Sequence, residues 1–157
     1  ALVLKPDLII CDEPTSALDV SVQAQILNLL RQLQHELGLS ALFITHHIGV
    51  VSYVAHDLAV MYLGRIVEQG SVDAVMNDPK HPYTQALLSA VPVPDPESGR
   101  EVIRLEGDMP SPAAPPAGCH FHPRCPHAED VCRQSYPDET RLSDGRRIRC
   151  HLVTADS

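Results

Sequence analysis

The sequence contains no tryptophan, and aromatic residues make up only 4% of its 157 residues. Its core must therefore be aliphatic, and a hydrophobic content of 44% is enough to supply one. An excess of basic residues is also missing, since the formal net charge is −8. Because a general nucleic-acid binder shows a basic face, no nucleic-acid partner is expected, and no electrostatic attraction to an anionic membrane surface is expected either.

Long apolar runs are absent as well, since no run approaches the roughly 20 residues that a membrane-spanning helix needs. The opening stretch, ALVLKPDLII, lacks the charged start and the small-residue cleavage site of a secretory signal. It begins without methionine and in the middle of an apolar pattern, so we expect the sequence to be part of a longer chain. In a cytosolic protein, cysteines are more often thiols or metal ligands than disulfides.

The composition changes near residue 91. Ten of the fourteen prolines lie between Pro92 and Pro137, which excludes long helices and central strands from that part of the chain. We therefore expect an α/β domain over residues 1–90, a proline-rich linker over 91–118 and a cysteine-containing tail over 119–157.

The first region alternates strand and helix patterns. Leu8–Cys11 predicts a short strand with both faces buried, of the type found in parallel sheets. A helix over 20–37 follows, with Asp19 as its N-cap and Gly38 as its stop. Its apolar stripe, expected to pack in the core, comprises Val22, Ile26, Leu29, Leu30, Leu33 and Leu37. A second buried strand, SALFIT, completes a β-α-β unit.

The rest of this region predicts four further elements. They are a helix over 48–55, two strands that turn at Gly64, a helix capped by Ser71, and a helix with Pro82 in its first turn. The elements of residues 1–90 together predict half of an α/β domain.

Two adjacent carboxylates, Asp12 and Glu13, come directly after the first strand, and His46 follows the second. In an open α/β sheet, ligands bind beyond the carboxyl ends of the strands, so these side chains are expected to lie close together. One carboxylate can hold a magnesium ion through water and phosphate, a second can deprotonate a water, and a histidine can contact a transferring phosphoryl group. The pattern predicts nucleotide hydrolysis.

Three segments in this order resemble the ATP-binding subunits of ABC transporters: LIICDEP is similar to their Walker B segment, SALD to their D-loop, and FITHH to their switch-histidine segment. The resemblance implies that Asp12 supports the magnesium of Mg-ATP, that Glu13 is the catalytic base and that His46 senses the γ-phosphate. It also implies that the D-loop, Ser16 to Asp19, crosses to a partner subunit. His47 stands where the family usually has an aspartate.

The phosphate cradle of the type G-x-x-x-x-G-K-[ST] does not occur in this sequence, nor do the glutamine loop and the LSGGQ signature that the resemblance leads us to expect. In the family, the cradle and the signature precede Walker B. The resemblance therefore implies the C-terminal part of a P-loop ABC ATPase domain, a parallel sheet with flanking helices, followed by a small tail. Alone, such a fragment should not hydrolyse ATP.

GRIVEQG followed by HPYTQALLSAVP resembles one branch of the family, the importers of oligopeptides, dipeptides and nickel complexes. The resemblance implies a second ATP-binding subunit in a homo- or heterodimer, two transmembrane permease subunits, an extracytoplasmic solute-binding protein and a place at the cytoplasmic face of the membrane. Two other functions stay open: a non-transport ABC-type ATPase, and a metal-binding interaction or regulatory module without catalysis. For His81 to Tyr83 we expect a helix start with an aromatic ring packed on the domain, and no catalytic role.

Four cysteines mark the tail: Cys119, Cys125, Cys132 and Cys150. Thiolates bind zinc or iron–sulfur clusters, and a metal can fix a small segment that lacks a large core. The spacing is not the paired C-x2-C of zinc ribbons, and by itself it leaves a cluster, zinc and free thiols open. The family's tail pattern, similar to C-x-F-x-x-R-C with two later cysteines, implies a 4Fe–4S cluster, with Zn²⁺ as the alternative.

Simpler structural roles are expected for the remaining features. Cys11 lies within the first predicted strand and is expected to be a small core residue. Arg146, Arg147 and Arg149 form a short basic cluster that is expected to be a solvated turn. The histidines beside the tail cysteines are expected to lie in solvated loops.

Overall fold

The computed structural model describes residues 6–91 and 102–155. The fold is mixed α/β, and the chain divides into two compact units, Ala1–Ala55 and His56–Ser157. The sequence VPVPDPESGR of the predicted linker lies almost entirely outside the described residues. The predicted division into 1–90, 91–118 and 119–157 stays a prediction. In residues 6–91 and 102–155, no helix is both long enough and apolar enough to cross a bilayer.

The first unit is a β-α-β unit with a second helix. Its elements are β1 (Leu8–Asp12), α1 (Val20–Leu37), β2 (Ser40–Ile44) and α2 (Ile48–Val54). β1 and β2 are parallel, in a register that pairs Leu8 with Ser40 and Asp12 with Ile44. The strand and helix predictions for this region are confirmed.

Both ends of α1 follow from local chemistry. At the N-terminus, the Asp19 carboxylate accepts hydrogen bonds from the amides of Ser21 and Val22, which have no partner within the helix. At the C-terminus, Gly38 adopts the left-handed conformation, with φ of 64°, that glycine takes without steric cost. The predicted caps of α1 are confirmed.

The burial expected of this unit is partly wrong. Leu8 and Ile10 are 53% and 65% exposed, and the half-buried Cys11 is not a full core residue. Burial alternates along both strands. Half-buried Phe43 of β2 packs against Leu27 of α1 and against Val50 and Val54 of α2, whereas Leu8 and Ile10 lie on the opposite face of the β1–β2 pair. In α1 the buried position is Leu27 rather than the whole stripe, and Leu29 and Leu37 are about half exposed.

The second unit is built around a four-stranded sheet. Its elements are β3 (Asp57–Tyr62), β4 (Arg65–Ser71), α3 (Val72–Asn77), α4 (Pro82–Ser89), α5 (Asp130–Gln134), β5 (Thr140–Arg141) and β6 (Arg147–Ile148), with a 3₁₀ turn at His122–Arg124. The strand order is β3-β4-β6-β5. The short strands of the C-terminal segment therefore extend the β3–β4 hairpin, and in the proline-dense stretch between α4 and β5 the described residues 102–139 form only short helices, as predicted.

The hairpin turns at Leu63 and Gly64, with φ of 43° and 75°, which is the backbone twist that tight hairpins favour. The main core of this unit joins the hairpin, α3 and the tail through Val60, Tyr62, Val67, Val75 and Phe121. A second cluster in the tail consists of Leu142, Ile148, Cys150 and Val153.

Candidate functional site

Glu13 and His46 meet at the carboxyl ends of the two parallel strands. Nδ1 of His46 lies 2.8 Å from Oε1 of Glu13, although 33 positions separate the two residues in the sequence. The in-register pairing of Asp12 with Ile44 brings the residues that follow both strands to one edge. The structure thus brings together the two residues that the sequence predicts to be catalytic, and their catalytic roles stay predictions.

The backbone of Glu13 adopts an uncommon conformation, with φ of 44°. Its amide donates to the carbonyl of Ile44 at 2.9 Å, and its own carbonyl accepts from the amide and the hydroxyl of Ser16, at 3.2 and 3.1 Å. A non-glycine residue in the left-handed region costs on the order of 1 kcal/mol or more, and such residues cluster at functional sites. These hydrogen bonds fix the turn that directs the Glu13 carboxylate towards His46.

The exposure of both side chains indicates that the Glu13–His46 pair contributes little to the stability of the fold. The His46 side chain is 68% exposed and that of Glu13 35% exposed, and ion pairs in such surroundings contribute roughly 0–1 kcal/mol. A strained backbone that holds a weakly stabilising pair is better explained by chemistry. A carboxylate that solvent can reach can accept a proton from water, and the imidazole beside it can contact a developing negative charge.

The three residues predicted to be cofactor-binding, Asp12 and the D-loop residues Ser16 and Asp19, lie between the end of β1 and the start of α1. Asp12 is the exposed last residue of β1, and a carboxylate at such a position can hold a hydrated magnesium ion. Ser16 donates its hydroxyl proton to the Glu13 carbonyl. Asp19 accepts from the Ser21 hydroxyl at 2.6 Å and from the Val22 amide at 2.9 Å, and these bonds lower the pKa of its carboxyl.

Thr45 is the residue of this site that the sequence analysis passed over. Its hydroxyl oxygen accepts a hydrogen bond from the His47 amide at 3.1 Å, which fixes the turn between β2 and α2. The ring of His47 packs on that of His46, with centroids 4.2 Å apart. A threonine directly before the two histidines is the local signal, because its side chain can hydrogen-bond to the backbone two residues on.

A second candidate site is formed by the tail cysteines, all of which are free thiols. Cys119 and Cys125 pack on the main core beside Phe121, and Cys150 belongs to the second cluster. The amide of Cys119 donates to the carbonyl of Cys132 at 2.8 Å. Gly118 allows this approach, since it has φ of 68° and a side chain there would collide with the backbone of residues 132 and 133.

The thiols are close enough to influence one another's charge. Burial raises the pKa of Cys119 and Cys125, and charges on neighbouring cysteines raise both further. Burial raises the pKa of Cys150 to about 11, and charges on the other three tail cysteines add to this effect. The four predicted metal-binding residues therefore share one neighbourhood, and for Cys119, Cys125 and Cys150 it disfavours the thiolate unless a positive charge accompanies it.

Around this neighbourhood and elsewhere in residues 6–91 and 102–155, no three His, Cys, Asp or Glu side chains are arranged to hold a single metal ion.

Residues 67–132 match the family described as "Oligopeptide/dipeptide transporter, C-terminal region". The probable peptide ABC transporter ATP-binding protein y4tS of Sinorhizobium fredii is 57% identical over 97% of this chain and 43% of its own length.

Two further relatives carry similar names. The dipeptide transport ATP-binding protein DppF of Haemophilus influenzae is 51% identical over 97% of this chain and 46% of its own length. The oligopeptide transport ATP-binding protein OppF of Salmonella typhimurium is 56% identical over 87% of this chain and 42% of its own length. This chain spans less than half the length of these relatives. It belongs to the family of peptide ABC transporter ATP-binding proteins.

Proposed function

We propose that this chain forms the C-terminal part of a subunit that hydrolyses Mg-ATP to drive the import of peptides. The observation that carries the proposal is the contact between Glu13 and His46 at the ends of two parallel strands. The names of the relatives favour peptide transport over a non-transport ATPase or a purely regulatory module.

In the proposed reaction, Glu13 accepts a proton from the attacking water, and the exposed edge of its carboxylate is where that water would lie. His46 contacts the γ-phosphate as negative charge develops there, and its hydrogen bond to Glu13 sets the orientation of both side chains. Asp12 holds the magnesium ion through water. Ser16 and Asp19 fix the turn that faces a second ATP-binding subunit.

The subunit is proposed to act at the cytoplasmic face of the membrane. A second ATP-binding subunit, identical or related, would complete the nucleotide sites, and two transmembrane permease subunits would convert closure of the pair into transport. A solute-binding protein outside the cytoplasm would deliver the peptide.

The test of the catalytic proposal uses the longer subunit with the phosphate cradle. Glu13→Gln keeps the size and hydrogen-bonding capacity of the side chain but removes the base, so steady-state ATP turnover should fall by about 100-fold or more, with binding of a fluorescent ATP analogue retained. His46→Ala should give a similar loss. His35→Ala, which alters a histidine in the last turn of α1, is the matched control and should leave turnover unchanged. Turnover within twofold of wild type in Glu13→Gln would contradict the assignment.

We also propose that Cys119, Cys125, Cys132 and Cys150 hold a 4Fe–4S cluster. The observation that supports this is the shared environment of the thiols: burial raises the pKa of Cys119, Cys125 and Cys150, and charges on neighbouring cysteines raise it further, which a bound cation would relieve. When bound, such a cluster would supply electron transfer or a structural clip.

The test of this second proposal is metal content. Anaerobically purified protein should show broad absorption near 400 nm and about four iron and four sulfide per chain, both lost in Cys125→Ser. Cys11→Ser, in the first unit, is the control and should retain them. One zinc per chain instead would replace the cluster with a structural zinc site, and the absence of both metals would overturn the proposal.

A further inference from the structure

Arg146 is a buried cation, which corrects the expectation of a solvated turn for this residue. It is 4% exposed. Its guanidinium lies 2.7 Å from the carboxylate of Asp144 and 3.1 Å from that of Asp78, and it donates to the carbonyls of Ala74 and Asp78. A single side chain of the tail therefore satisfies carbonyl groups in the last turn of α3.

Glu68, in β4, is a carboxylate with no exposure to solvent. Its two oxygens accept hydrogen bonds from the backbone amides of Lys80 and His81, each at 2.9 Å. These bonds fix the turn from which α4 begins. Burial of an ionised carboxylate is costly unless a cation accompanies it, and the Arg146 guanidinium, 3.9 Å from Glu68 Oε1, is that cation.

The tail reaches this position through strand pairing. β6 lies against β4 with Ile148 opposite Glu68, and the Arg149 amide donates to the Val67 carbonyl at 2.9 Å. Gly70 provides the space that the Arg146 stem needs, because a Cβ atom at that position would lie 2.5 Å from Arg146 Cγ. The position of the Arg146 guanidinium thus depends on the pairing of β6 with β4 and on the space beside Gly70.

We propose that residues 144–150 form a strap that links the cysteine site to the start of α4, with the Arg146–Glu68 contact as the connection. Cys150 follows β6 by two residues and is buried in the second cluster. The position of the Cys150 thiol and the position of Arg146 therefore depend on the same short segment. A change at the cysteine site that shifts the strap would move the Arg146 guanidinium away from Glu68. The turn that Glu68 holds at Lys80 and His81 would then become less stable. The link does not require any particular metal on the cysteines.

The experiment measures hydrogen exchange of the Lys80 and His81 amides in the 157-residue chain. Arg146→Met keeps most of the side-chain length but removes the charge and the donors, and should raise the exchange rates of these two amides by about tenfold or more. Arg147→Met, the neighbour in β6, is the matched control and should leave them within twofold of wild type. Gly70→Ala displaces the Arg146 stem without touching its charge and should reproduce the effect of Arg146→Met.

Arg146→Lys provides a second variant in case Arg146→Met does not fold. Because it keeps a cation in place, it should give a smaller rise in the exchange rates of the same two amides. A folded Arg146→Met with unchanged exchange at Lys80 and His81 would overturn the proposal. So would an equal rise at every amide of β3, β4 and α4, because that result reports general destabilisation and not a link.

The cysteine end of the strap is tested by Cys150→Ala. In the wild-type background this change should raise exchange at Lys80 and His81, and in the Arg146→Met background it should have no additional effect there. Equal effects in both backgrounds would show that the cysteine acts without Arg146, and would contradict the role of the strap.

Discussion

His81 has a structural role in the second unit. Its Nδ1 accepts the hydrogen bond of the Tyr83 amide at 3.0 Å, which caps α4, and its ring lies beside Phe121 and is 1% exposed. Tyr83 in turn packs on Tyr62, with ring centroids 4.7 Å apart. The expected structural role for the HPY segment is confirmed.

Burial gives His81 a measurable signature, because it lowers the pKa of the imidazole from 6.5 to about 4. Between these values the unfolded chain binds a proton that the folded chain does not, so stability increases with pH across this window and is lost as the pH falls. A shift of this size corresponds to on the order of 3 kcal/mol. We expect urea unfolding of residues 56–155, followed by tyrosine fluorescence, to show this loss between about pH 6.5 and 4.

His81→Asn supplies the comparison, since asparagine can still cap α4 but does not titrate. It should lower stability at neutral pH, because its smaller side chain leaves space beside Phe121. It should also flatten the slope of stability against pH between about pH 4 and 6.5. The exposed His127, changed to Asn, should leave the slope intact. Asp78 and Asp144 titrate below the window, since hydrogen bonds from Arg146 lower their pKa values below the usual 3.8. An unchanged slope in His81→Asn would refute the assignment.

At the scale of elements, the signals that predicted the fold were local. α1 begins after Asp19 and ends before Gly38, as predicted, and Ser71 caps α3 by accepting a hydrogen bond from the Ala74 amide. The meeting of Glu13 with His46 followed from a general rule, that parallel strands end at one edge of a sheet.

The features that the sequence did not predict depend on contacts between residues far apart in the chain. The exposure of Ile10 depends on whether a second layer covers the sheet, which strand periodicity does not state. Arg146 bonds to Ala74 and Asp78, which are 72 and 68 positions away, and its neighbours in the sequence indicate only a charged turn. The approach of Cys119 to Cys132 likewise depends on the close contact of Gly118 with the backbone of residues 132 and 133, which spacing alone does not predict.

The N-cap of α1 provides a test at this scale. Asp19→Ala removes the acceptor of the Ser21 and Val22 amides, so the first unit should lose about 1 kcal/mol of stability. Asp19→Asn should retain most of it, since asparagine is an equally good cap. Hydrogen exchange at Val22 and urea unfolding of the first unit measure the effect. Equal losses in the two variants would point to the charge of Asp19, and not to its capping bonds, as the source of stability.

At the scale of the whole molecule, the two units differ in how much core they have. The buried cluster of the first comprises Leu27, Val50 and Val54, with Phe43 packed against it, whereas Leu42 and Ile44 of β2 are about half exposed. The second unit contains two clusters and the network around Arg146. Because small domains bury a small fraction of their surface, we expect a unit whose described residues 6–55 contain so small a buried cluster to be marginally stable.

We therefore expect the two units to unfold separately, the first at the lower urea concentration. Hydrogen exchange at increasing urea should show protection in β1 and α1 lost before protection in β4 and α4. Gly49→Ala is a selective variant: its φ is not in the left-handed region and an added Cβ meets no atom within 4 Å, so the change should stabilise α2 by about 0.5 kcal/mol. It should move the first transition upward and leave the second in place. A single transition shared by all four elements, shifted as a whole by Gly49→Ala, would instead mean that the two units unfold as one cooperative body.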